Sequence, residues 1–162
     1  MRGVLAQHLS EFIEQANALL AQAKASGEVY TPDMVRASLR ALTTTYVTNI
    51  PEMAYVKDAM IDAGSHGIPV RVYSPAPNTH LPLLVFFHGG GHMCGDIDVY
   101  DPICRKLAVA ANCHLVSVEY RLAPEHPYPA GLDDCDVAFR NIDRVVTDLN
   151  VSEQRYIAGD SG

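Results

Sequence analysis

Apolar residues recur at helical spacing from the start of the chain. Val4, Leu5, Leu9, Phe12, Ile13, Ala16, Leu19, Leu20 and Ala23 form one stripe, with Glu11, Gln15, Gln22 and Lys24 falling largely between them. The pattern predicts an amphipathic helix ended by Ser26-Gly27. Its apolar face is expected to pack on the protein itself, because the Lys/Arg-rich polar face of a membrane-surface helix is missing. Thr31-Pro32-Asp33 opens a second helix: Thr31 suits the cap, Pro32 the first helical position and Asp33 the positive helix end. Met34, Val35, Leu39 and Leu42 form its stripe, and Thr43-Thr44-Thr45-Tyr46 reads as a loop or extended segment. Neither helix shows chemistry of its own.

Beyond residue 50 the period changes. Residues 54–61 read as a loose strand, Gly64-Ser65-His66-Gly67 as a turn, and Ile68-Pro69-Val70-Arg71-Val72-Tyr73 as a strand with one wet face. Pro69 places that strand near an edge or has it near its start. Leu83-Leu84-Val85-Phe86-Phe87 is a short continuous apolar run, as expected of a strand buried on both faces. A helix follows from Asp101-Pro102, then a strand at His114–Val118, a long helix from Ala130 to about Leu149, and a last short strand at Arg155–Gly159. Alternation of strand and helix predicts an α/β fold with a parallel sheet and crossover helices. In such sheets ligands bind beyond the carboxyl ends of the strands, and two glycine-rich stretches fall at those ends.

Composition narrows the picture. The 162 residues are one domain's worth, with 48% hydrophobic and 19% charged residues, which excludes a disordered chain. Twelve Lys and Arg against nineteen Asp and Glu give a net charge of −7, so no nucleic-acid partner is expected. No apolar run reaches the roughly 20 residues that span a bilayer, and the N-terminus lacks the apolar core of a secretory signal. Cys94, Cys104, Cys113 and Cys135 contain no Cys-x-x-Cys pair and read as reduced thiols of a cytoplasmic protein. His114, at the start of a buried strand, reads as a satisfied core histidine.

Two segments carry candidate chemistry. His88-Gly89-Gly90-Gly91 directly follows a buried strand, and consecutive glycines let a backbone approach a ligand closely and present N–H groups to an oxyanion. Gly89, Gly91 and Gly95 imitate a dinucleotide fingerprint only poorly, and no Walker Gly-Lys-Ser/Thr is present. His88 and His92 are four apart, but the glycines between them argue against the helix that a zinc pair of that spacing needs, so no metal site is expected. Gly159-Asp160-Ser161-Gly162 follows the last strand. Gly159 sits two before the serine, as a nucleophile elbow of pattern Gly-x-Ser-x-Gly requires, and the pattern's second glycine would fall at position 163. An oxyanion loop preceding the elbow is the order of the α/β-hydrolase fold.

The chain resembles the hormone-sensitive-lipase family of α/β-hydrolase esterases, the bacterial family IV lipases and esterases. The residues that carry the resemblance are His88-Gly89-Gly90-Gly91, Gly95-Asp96, Cys104-Arg105-Lys106-Leu107-Ala108, Val118 to Ala130 with its Tyr120-Arg121-Leu122-Ala123-Pro124-Glu125 core, Asp133-Asp134 and Gly159-Asp160-Ser161. It covers residues 51–162 well. It implies an α/β-hydrolase fold in which residues 1–50 are N-terminal cap helices and 51–162 the N-terminal half of the core, ending at the nucleophile elbow. It also implies Ser161 as the nucleophile and Gly89, Gly90 and Gly162 as oxyanion donors, supported by His88, Gly91, Gly159 and Asp160. Gly162 stands where the family usually has Ala. Arg121 and Glu125 match positions read as structural, tying loops near the site.

The implied activity is hydrolysis of short- to medium-chain acyl esters through an acyl-enzyme, with no metal or organic cofactor. The family's triad Asp/Glu and His follow the serine in chain order, so neither is assigned here, and this chain alone is expected to be inactive. A C-terminal half supplied as a separate chain, or a homodimer, would be a partner; no membrane partner is expected. The alternative is a truncated, non-catalytic α/β-hydrolase-like binding module.

Overall fold

The structure, a computed structural model, describes residues 6–27 and 29–161. The chain forms two compact units, residues 1–31 and 32–162. In the first, a 3₁₀ turn at Gln7–Leu9 leads into α1, Ser10–Ser26, which stops at Gly27 in the left-handed conformation (φ 69°), as the Ser26-Gly27 signal predicts. Val4 and Leu5 of the predicted stripe lie outside the described residues.

The larger unit opens with α2, Pro32–Tyr46. Thr43–Tyr46 is therefore helix rather than loop. The Thr44 hydroxyl donates to the Arg40 carbonyl at 2.9 Å and the Val47 N–H to the Thr43 carbonyl at 2.9 Å, so the turn is closed despite its β-branched residues.

Five strands follow: β1 Tyr55–Asp62, β2 Gly67–Ser74, β3 Leu81–Phe87, β4 His114–Val118 and β5 Val151–Gly159. They form one sheet in the order β1-β2-β4-β3-β5. The β1–β2 and β2–β4 pairs are antiparallel, and β4–β3 and β3–β5 are parallel. The sheet is thus mixed, its parallel part confined to the strands joined through helices. Pro69 sits near the start of β2, in an interior strand.

Two helices cover the sheet. α3, Ile97–Ala111, begins four residues before the expected Asp101. Its cap is Asp96, whose carboxylate accepts the Val99 N–H at 2.7 Å, and Glu119 accepts the Ile97 N–H at 2.6 Å. Burial pushes the Glu119 carboxyl up from its ordinary range, partly offset by that N–H. α4, Ala130–Asn141, is shorter than expected and gives way to a 3₁₀ turn at Ile142–Val145. Val145 and Val146 are still buried, so the apolar period outruns the α-helix that it predicts.

The two faces of β3 and β4 sort by residue parity. Leu83, Val85, Val116 and Val118 pack with Ala138, Ile142, Val145 and Val146 of the α4 side. Leu84, Phe86 and Leu115 pack with Val99, Tyr100, Cys104 and Ala108 of α3. His114 is buried and paired at both ring nitrogens, to Ser74 Oγ at 2.9 Å and the Asn150 carbonyl at 3.2 Å, as a core histidine should be. The four cysteines are unpaired. Among the described residues no helix is long and apolar enough to cross a membrane.

Candidate active site

β3 and β5 are adjacent and parallel, with Phe87 opposite Gly159, so their carboxyl ends deliver two segments to one place. After β3 comes His88-Gly89-Gly90-Gly91; after β5 come Asp160 and Ser161. The approach is closer than any side chain allows. A Cβ on Gly89 would lie 2.3 Å from the Ser161 carbonyl oxygen, and one on Gly90 would lie 2.1 Å from the Cys94 carbonyl oxygen with φ at 126°.

The orientation of this loop follows from what holds its carbonyls. The His88 carbonyl accepts the Tyr120 hydroxyl, and the Gly89 carbonyl bonds His88 Nδ1 at 2.9 Å. The Gly90 carbonyl accepts the Met93 N–H at 3.2 Å, the Cys94 N–H at 3.1 Å and the Cys94 thiol at 3.1 Å. In a trans peptide the N–H points opposite to its C=O. Three successive carbonyls tied inward therefore turn the N–H groups of Gly89, Gly90 and Gly91 outward. The Gly89 N–H donates to Asp160 Oδ1, and the Gly90 N–H donates to the Ser161 carbonyl at 2.8 Å. The Gly91 N–H has no acceptor among the described residues.

His88 is the loop's support. Its ring is 2% exposed and stacks between Tyr120 (centroids 4.5 Å, 17°) and Tyr100 (5.2 Å, 30°). A carbonyl can only accept, so Nδ1 carries the proton. Burial holds the imidazole below its ordinary pKa, against an opposing pull from the Gly89 carbonyl and from Asp160. His88 is therefore neutral, with Nε2 as an unpaired buried acceptor.

Asp160 uses both oxygens, Oδ1 for Gly89 and Oδ2 for the Tyr100 hydroxyl at 2.8 Å. The Tyr100 phenol is raised by burial first and by that hydrogen bond second. Sequence reading missed Tyr100, which lies 60 residues from its partner on α3.

Beside Ser161 opens a cavity of about 660 Å³, lined by Ser161, His88, Tyr120, Arg121 and Leu132 among others. One wall rests on a buried ion cluster. Asp134, 1% exposed, accepts the Arg121 main-chain N–H at 2.9 Å, Arg121 Nε at 2.8 Å, an Arg121 terminal nitrogen at 2.8 Å and His66 Nε2 at 2.7 Å. Arg121 and Glu125 thus tie loops, as expected, Glu125 through Arg36 of α2. The structure brings Ser161, Gly89, Gly90, Gly91, His88, Gly159 and Asp160 together. Gly162, the third expected donor, lies outside the described residues. His126 and His92 line the cavity.

A mixed sheet flanked by helices, with a glycine loop and a serine meeting at adjacent strand ends, is the layout of an α/β hydrolase. Residues 84–162 match the family model described as the α/β-hydrolase fold, and the chain belongs to that fold family, in its hormone-sensitive-lipase-like group. It is 43% identical over 131 residues to carboxylesterase NlhH of Mycobacterium tuberculosis, covering 80% of this chain and 41% of that protein. It is likewise 43% identical over 111 residues to esterase LipI of the same organism, covering 67% of this chain and 34% of that one. Among solved structures, an esterase of Pyrobaculum calidifontis superposes with a TM-score of 0.81 at 30% identity, over 97% of this chain and 48% of that one. The chain therefore spans less than half the length of these relatives.

Proposed function

We propose that the protein is a carboxylic ester hydrolase acting through Ser161 on short- to medium-chain acyl esters. The observation that carries this reading is the meeting of Ser161 with a glycine loop whose Gly90 N–H reaches the Ser161 carbonyl and whose Gly91 N–H has no acceptor among the described residues, beside a cavity of about 660 Å³. Ester hydrolysis by the relatives supports the reaction class.

In this reading the Ser161 hydroxyl attacks the ester carbonyl carbon, its proton passing to a histidine base, and the tetrahedral oxyanion rests on main-chain N–H groups. The alcohol leaves with that proton, and water then hydrolyses the acyl-enzyme. The donors are Gly90, Gly91 and Gly162. Gly89 serves differently, because its N–H is held by the charged Asp160 carboxylate, whereas the Gly90 N–H rests on the neutral Ser161 main-chain carbonyl, which an oxyanion displaces in this reading. Asp160 is not the triad acid: that acid accepts a histidine Nδ1–H, whereas both Asp160 oxygens are taken by Gly89 and Tyr100. The triad Asp/Glu and His come from sequence beyond these 162 residues, as a continuation or a separate C-terminal half. Edge strand β5, with Tyr156 and Ile157 exposed at 52% and 59%, is where further strands would pair. The unpaired cysteines fit a reducing, cytoplasmic setting.

The non-catalytic alternative draws on one observation, the pairing of the Gly90 N–H with the Ser161 carbonyl, which closes a donor that an oxyanion needs. Turnover of p-nitrophenyl esters from acetate to decanoate by the full-length protein separates the two. The esterase reading expects hydrolysis of the shorter chains, abolished by Ser161→Ala. Hydrolysis that survives the substitution refutes it.

A further inference from the structure

We propose that Arg36, on α2, is a positioning residue that sets the orientation of the triple-glycine loop. The inference rests on the ester-hydrolase reading for its effect on catalysis, but its structural part does not. The Arg36 guanidinium makes bonds to three separate places. Nε donates to the Met93 carbonyl at 2.9 Å, one terminal nitrogen to Glu125 Oε1 at 2.8 Å, and the other to Glu125 Oε2 at 2.7 Å and to the Ala123 carbonyl at 3.1 Å. Between those acceptors the two loops are joined directly, since the Ala123 N–H donates to the His92 carbonyl at 2.8 Å. One planar fork thus fixes both sides of His92-Met93.

The consequence reaches the site through two peptides. Met93 and Cys94 turn their N–H groups onto the Gly90 carbonyl, and that carbonyl's direction dictates the opposite direction of the Gly91 N–H. Holding the Met93 carbonyl on Arg36 therefore holds the Gly91 N–H away from the Met93-Cys94 turn and free of a protein acceptor among the described residues. His92 has φ 58°, Gly91 62° and Gly90 126°, a run of positive-φ backbone closed on itself by the Met93 and Cys94 bonds to the Gly90 carbonyl.

A stabilising surface ion pair is the competing explanation, and the geometry disfavours it. Glu125 is 53% exposed, and pairs that exposed contribute little. The bonds to two main-chain carbonyls are what an ion pair does not need. Lysine cannot replace this arrangement, because an ammonium has three donors and no planar fork.

The test uses Arg36→Ala and Arg36→Lys, with Arg140→Ala as a control, because Arg140 pairs with exposed Asp136 on its own helix and with no other carboxylate among the described residues. Hydrogen exchange comes first. At the Cys94 and Ala123 amides it should quicken by about tenfold or more in Arg36→Ala, with β3 and β4 amides unchanged, because local opening is freed while the core is not. In kinetics with p-nitrophenyl butyrate, kcat should fall by about 10²-fold with KM held, the loss expected for one misplaced oxyanion donor. Arg36→Lys should stay low, added guanidinium ion should restore part of the Arg36→Ala loss, and Arg140→Ala should match wild type. Unchanged exchange at Cys94 and Ala123, a loss confined to KM, or full activity in Arg36→Lys overturns the proposal. If Arg36→Ala does not fold, Arg36→Lys carries both measurements. If wild type hydrolyses no ester, the functional reading fails, and the exchange data alone decide whether Arg36 positions the loop.

Discussion

Replacing Asp134 by Ala should be among the most damaging single changes outside the glycine loop. The carboxylate is 1% exposed and receives four bonds, three from Arg121 and one from His66. Breaking a buried ion pair by removing one partner costs about 3–5 kcal/mol. The Arg121 side chain is 32% exposed and His66 28%, so both can rehydrate, which places the cost at the lower end. The Arg121 main-chain N–H loses its acceptor as well, a penalty of about 1–3 kcal/mol that is already part of such a range. The expected loss is about 3 kcal/mol, which for a chain of this size lowers Tm by roughly 6–12 °C. Thermal unfolding at pH 7 reads it directly, with Asp136→Ala as the exposed control. Burial raises the Asp134 pKa, but Arg121 and His66 outweigh it and hold the carboxyl below its ordinary value of 3.8. Stability from a lowered carboxyl is complete above the unfolded value and is lost as pH falls below it. The gap between wild type and Asp134→Ala should therefore narrow below about pH 4. A Tm shift no larger than that of Asp136→Ala would refute the reasoning.

Other changes probe the loop itself. Gly90→Ala should cost about 2 kcal/mol or more and abolish ester turnover, because its Cβ would sit 2.1 Å from the Cys94 carbonyl at φ 126°; calorimetry and a p-nitrophenyl assay check both halves. Tyr120→Phe leaves the buried His88 carbonyl unpaired and should cost about 1–3 kcal/mol by urea denaturation, with no change in m-value. His88 is held neutral with a pKa below 6.5, so as pH falls below about 6.5 the unfolded chain takes up the proton first and stability declines. His88→Asn, whose amide can still donate to the Gly89 carbonyl, should flatten that part of the pH–stability curve; an unchanged slope would show that His88 does not titrate as described.

The buried strands were the most legible part of the sequence. Leu83–Phe87 is a short continuous apolar run that a two-sided core accommodates, and His114–Val118, read as the next strand, is buried throughout although it carries His114 and Ser117. The errors arose where a local signal had two meanings. Pro102 suits a helix start, yet here it lies inside α3, and the operative cap is Asp96. Val145 and Val146 continue a helical period and are buried, but from a 3₁₀ turn and the residue after it. β5 is four residues longer at its start than expected because Val151–Gln154, on an edge strand, show no alternation. In the site, the two glycine motifs announced themselves by spacing. Tyr100, Arg36 and the carboxylate role of Asp160 did not, since each works through a contact 57 to 71 residues away that leaves no periodic trace. The same distance explains why Gly89 read as a free donor: only the fold shows Asp160 against it.

The central claim is that Ser161 is a nucleophile facing main-chain donors. Intact-mass spectrometry of the purified protein after exposure to a fluorophosphonate, followed by peptide mapping, tests it most directly. The account predicts a single adduct on Ser161, lost in Ser161→Ala, in a protein that includes the acid and base. An unlabelled Ser161 in a folded protein that contains those groups, or an adduct on another residue, would contradict it.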